Sequence, residues 1–429
     1  MLDLRLIREK PEEVRQALLK RMDAVDFTDV LDWDQKRRTL IQEVENLKAR
    51  RNEVSAQIPK LKKEGKPIQE LTEEMKKVSG TIKRLDGEIA VFEEQIQDVL
   101  EGLPNIPADD VPAGDKEYNV VIREWGQKPQ FDFLPKDHID LVTSLKLIDY
   151  ERGAKLGGNG FWLYRGDGAR MEWGLLSYFV EEHLKDGYEF ILLPHILNYP
   201  CGYTAGQFPK FEDDVFHLST FRGGKERTGQ FLLPTAETAL INVHRDEILQ
   251  EDDLPKKYFA YTPCYRREAG SYRTEERGMI RGHQFNKVEM FQYTVPEKSD
   301  DALEELIGKA ERLVQGLGLH YQLVQLAAKD CSAAMAKTFD VEVWIPSMNG
   351  YKEVSSASNG RDYQPRRGNI RFKRKNAKRT EYIHALNASG LATSRIIPAI
   401  VEQFQQADGS VVVPDVLRKW VGKDVLTPV

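Results

Sequence analysis

The chain has 429 residues, a length that predicts two domains rather than one core. Charged residues make up 30% of it and no stretch approaches the ~20 uninterrupted apolar residues of a membrane helix, so a soluble protein without membrane contact is expected. The net charge of −6 gives no sign of a polyanion partner, so any nucleic-acid contact would need a local basic surface.

The N-terminus and the cysteines favour a cytoplasmic location. Charges interrupt the first ten residues at every second or third position, so these residues cannot form the apolar segment of a signal peptide. The cysteines, Cys201, Cys264 and Cys331, do not lie at metal-ligand spacing. Neither a zinc site nor a disulfide framework is therefore expected.

The first hundred residues carry the heptad pattern of a coiled coil. Apolar residues alternate at spacings of three and four from position 68 to position 99. The same spacing runs from position 40 to position 61, where Arg51 occupies one seam position. The pattern predicts two long helices, each of about thirty residues and roughly 45 Å.

The segment Gly65-Lys66-Pro67 separates the two heptad runs, and it is expected to end one helix and begin the next. Helices joined by so short a link fold back on each other. We therefore predict an antiparallel two-helix coiled-coil arm within a helical domain of residues 1–103.

The first helix of this arm is strongly basic. Its cations either keep the exterior of a coiled coil soluble or bind a phosphate backbone, and the residues alone leave both explanations open. The basic residues are Lys36, Arg37, Arg38, Lys48, Arg50, Arg51, Lys60, Lys62 and Lys63.

A proline-rich linker follows the arm, and the pattern then changes. Short β-like runs such as 189–193 and 341–345 alternate irregularly with helical stretches, which predicts an α+β domain over residues 104–429 with a mostly antiparallel sheet flanked by helices. The chain has no P-loop motif and no Rossmann glycine motif after a strand. Any ATP would have to bind by another device.

Three separated segments of the second domain, 261–285, 353–367 and 387–395, are dense in arginine, glutamate and small residues. Each has an ordinary explanation, because Arg and Glu often form surface ion pairs and small polar residues often cap helices. Together they offer guanidinium groups for phosphates, a carboxylate with a hydroxyl for Mg²⁺, and an aromatic face for a base.

These segments resemble motifs 2 and 3 of the class II aminoacyl-tRNA synthetases, and more narrowly those of the seryl-tRNA synthetases. The basic arm is similar to the tRNA-binding arm of that family, and the segment ending at Pro194 resembles the dimer-interface motif 1. The narrower resemblance rests on Gly206–Phe211, Leu233–Glu237, Thr262–Arg266, His283–Met290, Glu353–Ser356 and Leu386–Leu391.

The resemblance implies a serine–tRNA ligase. Such an enzyme activates L-serine with ATP to seryl-adenylate, with Mg²⁺, and transfers it to the 3′ end of tRNA(Ser). It also implies a homodimer whose arm reaches the tRNA on the other subunit. No side-chain nucleophile is needed, because positioning and electrostatics suffice.

The resemblance also implies roles for individual residues. Arg266, Glu268 and Arg395 are the catalytic residues, and Glu353 and Ser356 are the Mg²⁺ ligands. The implied ATP-binding residues are Arg266, Arg267, Glu268, Phe285, Glu353, Val354, Ser355, Ser356 and Arg395. The implied serine-binding residues are Thr235, Ala236, Glu237, Glu289, Asn387 and Ser389. The implied tRNA-binding residues of the arm are Lys36, Arg37, Lys48, Arg50, Arg51, Lys60, Lys62 and Lys63.

The sequence departs from the family pattern near the third motif. Arg361 replaces a small hydroxyl residue, Ala385 stands where Thr is usual, and Ala388 and Ser394 stand where Gly is common. These changes are neutral drift, or they mark a specialised paralogue that resists an inhibitor or serves a biosynthetic pathway. A non-catalytic RNA-binding relative is a further alternative, and so is transfer to a carrier-protein thiol, against which the long basic arm argues.

Overall fold

A computed structural model describes residues 1–65, 67–222, 225–268 and 278–429. The chain divides into two compact units, Met1–Pro104 and Asn105–Val429. Lys66 of the predicted turn and residues 269–277 of the first polar segment lie outside the described residues. No helix within the described ranges is long and apolar enough to cross a membrane.

The first unit is helical, and its two long helices are those predicted from the heptad pattern. Two shorter helices precede them. The helices are α1 (Leu4–Glu9), α2 (Pro11–Leu18), α3 (Thr28–Lys63) and α4 (Gln69–Gly102).

Ion pairs show that α3 and α4 run antiparallel, as predicted. Arg37 near the start of α3 pairs with Glu93 near the end of α4, at 3.2 Å. Arg50, further along α3, pairs with Glu74 near the start of α4, at 3.7 Å. The seam between the helices is closed by a cluster of buried apolar residues, namely Val44, Ile82, Leu85 and Ile89.

The last seam position of α4 differs from the prediction. Val99 is only half-buried, whereas Leu100 is buried. Leu100 lies eleven residues after the buried Ile89, which is almost three whole turns of an α-helix. It therefore stays on the same face of α4, while a strict heptad count selects its neighbour.

The second unit is built on a mostly antiparallel eight-stranded sheet, as predicted. Its helices are α5 (His138–Ser144), α6 (Tyr150–Gly157), α7 (Asp167–Lys185), α8 (Tyr199–Thr204), α9 (Ala236–Leu240), α10 (Ser299–Gly316), α11 (Tyr363–Arg367), α12 (Thr393–Gln403) and α13 (Arg418–Val421). Its strands are β1 (Val120–Trp125), β2 (Ile148–Asp149), β3 (Leu163–Tyr164), β4 (Glu189–Phe190), β5 (Ile196–Asn198), β6 (His217–Arg222), β7 (Lys225–Leu232), β8 (Ile248–Gln250), β9 (Lys256–Tyr265), β10 (Gln284–Thr294), β11 (Tyr321–Gln325), β12 (Lys337–Ile345), β13 (Gly350–Arg361), β14 (Arg371–Lys373), β15 (Thr380–Tyr382), β16 (His384–Ala392), β17 (Val411–Val412) and β18 (Val425–Leu426).

The eight strands lie in the order β1-β11-β12-β13-β16-β10-β9-β4. Every neighbouring pair is antiparallel except β4 with β9. The helices α7, α10 and α12 contribute apolar residues to one core with the sheet. The helices packed on the sheet hold its central strands in place, and the polar segments lie on these strands.

The strand predicted at 189–193 is shorter than expected, because β4 covers only its first two residues. It is an edge strand, and Leu192 is 75% exposed. Pro194 follows closely and has no N–H to extend a ladder. The apolar run therefore marks an exposed surface and not a buried strand.

Candidate active site

The three polar segments meet on four neighbouring strands, β13, β16, β10 and β9. Arg266 directly follows β9, and Phe285 and Glu289 lie on β10. Ser389 pairs across to Glu289 from β16, and Arg395 lies in the first turn of α12, which begins where β16 ends. Segments far apart in sequence thus share one face of the sheet.

Three adjoining cavities lie on this face, with volumes of about 450, 140 and 240 Å³. Arg266 and Glu268 line both of the first two cavities. Glu353 and Arg395 line both of the last two, and Arg281 lines all three. The cavities therefore form one continuous cleft that is lined by three guanidinium groups and by several carboxylates.

A buried ionic network lies at the base of the cleft. The Glu289 carboxylate is fully buried and pairs with the ammonium group of Lys287. It accepts hydrogen bonds from Asn387 Nδ2 at 3.1 Å and Thr235 Oγ1 at 3.4 Å. The Lys287 ammonium also donates to Thr235 Oγ1 at 2.8 Å. Because its polar groups pair with each other, the network holds Glu289 in one orientation.

Glu237 adds a second carboxylate beside this network. Burial, followed by the negative charge of Glu289, raises the pKa of Glu237 to about 7. Gln364 Nε2 donates to Glu237 Oε1 at 2.7 Å. Two carboxylates thus lie near the single ammonium of Lys287. A second ammonium group, supplied by a ligand, would lower the pKa of Glu237 and balance the charge.

Arg266 and Arg395 are held by backbone carbonyls. Arg266 Nε donates to the carbonyl of Pro234 at 3.2 Å, and its guanidinium lies 5.2 Å from the centre of the Phe285 ring. Arg395 Nη1 donates to the carbonyl of Glu353 at 2.9 Å and lies 3.2 Å from its carboxylate. Such anchoring leaves the remaining N–H groups of each guanidinium for phosphate oxygens.

Glu268 forms an ion pair with Arg281 and has a left-handed backbone with φ of 51°. That conformation is uncommon for a residue other than glycine. It turns the chain two residues after Arg266, and the carboxylate lines the same cleft as the guanidinium of Arg266.

A bulge in β13 places the two implied Mg²⁺ ligands on one face. Val341 pairs with Ser355 and Glu342 pairs with Glu353, so Val354 is the extra residue. The bulge changes the alternation of side chains, and both Glu353 and Ser356 are partly exposed although three residues separate them.

The donor set at this point suits a hard cation. Burial, followed by the nearby negative charge of Glu353, raises the pKa of Asp340 well above its usual range. Asp340 Oδ1 has no hydrogen-bond partner among the described residues. Among those residues no group of three His, Cys, Asp or Glu side chains could enclose a metal. Mg²⁺ held by one or two protein oxygens and by phosphates fits this set.

A further buried carboxyl, that of Glu172 on α7, joins elements around the cleft. Glu172 Oε1 accepts hydrogen bonds from Asn286 of β10 and from Thr393 at the start of α12, each at 2.7 Å. Burial raises the pKa of Glu172 to about 7. No pattern in the sequence selects this residue, because a single Glu in a helix is ordinarily exposed.

Several implied site residues do not present their side chains to the cleft. Arg267 is exposed, and Ala236, the first residue of α9, is buried in an apolar cluster. The hydroxyl of Ser355 donates to the carbonyl of Ser389 at 2.6 Å. Val354 lines the second cavity but is otherwise part of the core. These residues can act through their backbones or by supporting their neighbours.

The sequence did not select Lys287 and Arg281, although both line the cleft. A signal for Lys287 existed, because positions 285, 287 and 289 alternate along one strand and share a face. No such sequence signal existed for Arg281, since its contact with Glu268 depends on how distant parts of the loop come together.

Comparisons with known proteins agree with this geometry. The family profile described as the seryl-tRNA synthetase N-terminal domain matches residues 1–107. The profile of the tRNA synthetase class II core domain (G, H, P, S and T) matches residues 221–404. The chain is 64% identical to serine–tRNA ligase 2 of Clostridium acetobutylicum, over 99% of this chain and 100% of the relative.

It is also 44% identical to the serine–tRNA ligase of Clostridium tetani, over 99% of this chain and 100% of the relative. The crystal structure of seryl-tRNA synthetase from Pyrococcus horikoshii complexed with ATP superposes with a TM-score of 0.91. That protein is 33% identical and is covered in full, as is this chain.

The antiparallel sheet with its guanidinium-lined cleft and the class II core profile define a class II aminoacyl-tRNA synthetase. The match to the N-terminal domain profile and the full-length relatives narrow the class to one family of synthetases. The chain belongs to the seryl-tRNA synthetase family, which confirms the resemblance inferred from the motifs and the expected ligase class.

Proposed function

We propose that the chain activates L-serine with ATP to seryl-adenylate and then transfers the seryl group to tRNA(Ser) in the cytoplasm. The observation that carries this proposal is the buried Lys287–Glu289 network beside Glu237, placed directly against a cleft lined by Arg266 and Arg395. The buried network with Glu237 suits a small zwitterion, and the cleft lined by Arg266 and Arg395 suits a polyphosphate.

Serine recognition is assigned to the base of the cleft. Glu237 and Thr235 would bind the ammonium group, since Glu237 is buried and, among the described residues, forms no ion pair within 4 Å, whereas Glu289 is paired with Lys287. Glu289 and Ser389 would bind the hydroxyl, with Asn387 orienting Glu289. A site built to hydrogen-bond a hydroxyl rejects the analogue without it by about 10⁴. Alanine would therefore be excluded.

Activation is assigned to the guanidinium groups that line the cleft. Arg266 lies at the junction of two cavities, where the serine carboxylate and the α-phosphate would meet, and Arg395 would bind the far end of the triphosphate. Phe285 would stack on the adenine and Glu268 would accept from its amine. Mg²⁺, held by Glu353 and Ser356, would neutralise charge on the phosphates.

The tip of the arm supports a contact with tRNA. Lys36, Arg37 and Arg50 pair with acidic residues of the arm itself. Lys62 and Lys63 near the end of α3 are exposed, and no acidic partner is found for them in the part of the chain that the structure describes. Unpaired cations favour the phosphate-binding explanation over a purely solubilising one, because they remain available to a backbone.

A homodimer, in which each arm would reach the tRNA of the other subunit, is supported by an exposed apolar face. Trp173 and Leu184 on α7 are 60% and 52% exposed, and eleven residues, about three turns, separate them. Phe190 and Leu192 near β4 are 38% and 75% exposed. Apolar surface of this kind marks an interface with another protein.

Serine-dependent exchange of pyrophosphate into ATP tests the proposal, with alanine, threonine, glycine and cysteine run in parallel. We expect exchange with serine alone and its loss in Arg266→Ala. Arg152→Ala is the matched control, since it removes an exposed guanidinium on α6. Exchange without serine dependence, or an active Arg266→Ala protein, would contradict the assignment.

A further inference from the structure

The buried carboxyl of Glu172 lies behind the cleft and joins the two elements that carry the ATP-site side chains. Its hydrogen-bond partner Asn286 directly follows Phe285 on β10. Its partner Thr393 begins α12, two residues before Arg395. Glu172 is 4% exposed and is not among the described residues that line the three cavities, so any effect on a ligand in the cleft must pass through these neighbours.

The contacts of Glu172 have fewer protons than acceptors when its carboxyl is ionised. Thr393 Oγ1 has one proton and lies near two acceptors, Glu172 Oε1 at 2.7 Å and the carbonyl of Asn286 at 3.1 Å. Asn286 Nδ2 donates to the same Oε1 at 2.7 Å, and Tyr261 O–H donates to Asn286 Oδ1 at 3.2 Å, which fixes the orientation of the amide. A protonated carboxyl adds the missing proton, because it can donate to Thr393 Oγ1. The proton of Thr393 is then free for the carbonyl of Asn286.

The surroundings favour that protonated form. Burial raises the pKa of Glu172 to about 7, and no cation pairs with it in the described part of the chain. The titratable groups that face it are the phenols of Tyr164 on β3 and Tyr261 on β9, which are neutral at this pH. An ionised carboxylate would therefore be a buried charge without a counter-ion.

We propose that Glu172 is a positioning residue whose protonated carboxyl locks β10 to α12 and thereby sets the spacing of Phe285 and Arg395 for ATP. The inference rests on the proposed function, in which these two side chains bind opposite ends of ATP. Ionisation of Glu172 draws the Thr393 proton away from the carbonyl of Asn286, so that β10 and α12 lose one of their shared bonds. ATP binding should therefore weaken as the pH rises through the folded pKa, whereas serine, which binds at the base of the cleft, should be little affected.

Steady-state pyrophosphate exchange at pH ~6 and pH ~8.5, with saturating Mg²⁺, tests the inference by giving the KM for ATP and the KM for serine separately. Glu172→Gln is neutral at every pH and keeps an acceptor for Asn286, whereas Glu172→Ala removes the contact. Glu181→Gln is the matched control, because it makes the same change on the same helix to a 45% exposed carboxylate that pairs with Lys419.

We expect the KM for ATP of the parent and of Glu181→Gln to rise about fivefold or more between the two pH values, and that of Glu172→Gln to change less than about twofold. Glu172→Ala should raise the KM for ATP about tenfold over that of the parent at pH ~6 and leave the KM for serine within about twofold, because a small displacement of a substrate-positioning group costs up to about 100-fold. Glu237, whose pKa is also raised to about 7, should affect the KM for serine equally in the parent and in Glu172→Gln.

The same pH dependence of the KM for ATP in the parent and in Glu172→Gln would overturn the inference. Equal changes in both KM values in Glu172→Ala would also overturn it, since they would show a general loosening of the fold. If Glu172→Ala does not fold, Thr393→Val decides in its place, because it removes the same contact from α12, and an unchanged KM for ATP there would overturn the inference. Failure of the proposed function has a different signature, namely absence of serine-dependent exchange in the parent.

Discussion

The substitution Glu289→Gln tests the buried network most directly. It keeps the shape of the side chain and removes the negative charge. Asn387 and Thr235 donate to different carboxylate oxygens, so the single oxygen of Gln can serve only one of them. The Lys287 ammonium, whose side chain is 7% exposed, would then lie buried without a carboxylate beside it. The perturbation is therefore an uncompensated charge and not a cavity.

The expected cost is large, because breaking a buried ion pair by removing one partner costs about 3–5 kcal/mol. The unit that contains the network is Asn105–Val429. At about 2.1 cal/mol/K per residue of unfolding entropy, this cost lowers its Tm by roughly 4–7 °C. Serine-dependent exchange should fall as well, because Gln cannot accept from the serine hydroxyl as a charged carboxylate does.

Calorimetric melting of the parent, Glu289→Gln, Lys287→Met and the double variant gives a double-mutant cycle. The double variant has no unpaired ammonium, so we expect it to recover at least half of the Tm lost by Glu289→Gln. A Tm for Glu289→Gln within 1 °C of the parent would refute the reasoning. So would strictly additive losses, since they would show that the two charges do not interact.

Three further perturbations test other parts of the molecule. Burial raises the pKa of the Glu172 carboxyl to about 7 in the folded state, whereas its ordinary value is 4.5. Because the folded state binds this proton more tightly, the free energy of unfolding should fall by up to about 3 kcal/mol as the pH rises from 4.5 to about 7. Urea titrations of Glu172→Gln should show a weaker pH dependence than those of the parent, and an unchanged dependence would contradict this prediction. Phe285→Leu should raise the KM for ATP about tenfold in exchange assays and leave the KM for serine unchanged, a result that equal changes in both would contradict. Replacing Lys60, Lys62 and Lys63 by Gln should weaken tRNA(Ser) binding in filter-binding titrations and preserve serine activation. The slope of the logarithm of the binding constant against the logarithm of the salt concentration should become smaller in magnitude by about 2–3. An unchanged slope would favour the explanation that these cations only keep the arm soluble.

The sequence predicted best those features that follow from local periodicity. The spacing of apolar residues predicted both long helices of the arm. The one difference is that Leu100 and not Val99 is buried at the end of α4, because the α-helical repeat drifts relative to a strict heptad. The family motifs predicted that Arg266, Glu289 and Arg395 belong to one site. The strand pairing that joins them is long-range, and periodicity alone would not have given its order.

Other features of the site depend on contacts that no short pattern contains. The bulge at Val354 brings Glu353 and Ser356 to one face, and simple alternation would have separated them. The carboxyl of Glu172 bonds to Asn286 and Thr393, so its position depends on how distant segments pack. Such residues become visible only in three dimensions.

The central place of β16 in the sheet has a consequence for biosynthesis. This strand is synthesised almost last, yet it separates β13 from β10, both of which emerge from the ribosome earlier. Until residues 384–392 are released, those two strands each have an open edge, which is the kind of surface that pairs with other chains. The catalytic sheet and the cleft on its face therefore cannot be completed until nearly the whole chain has been synthesised.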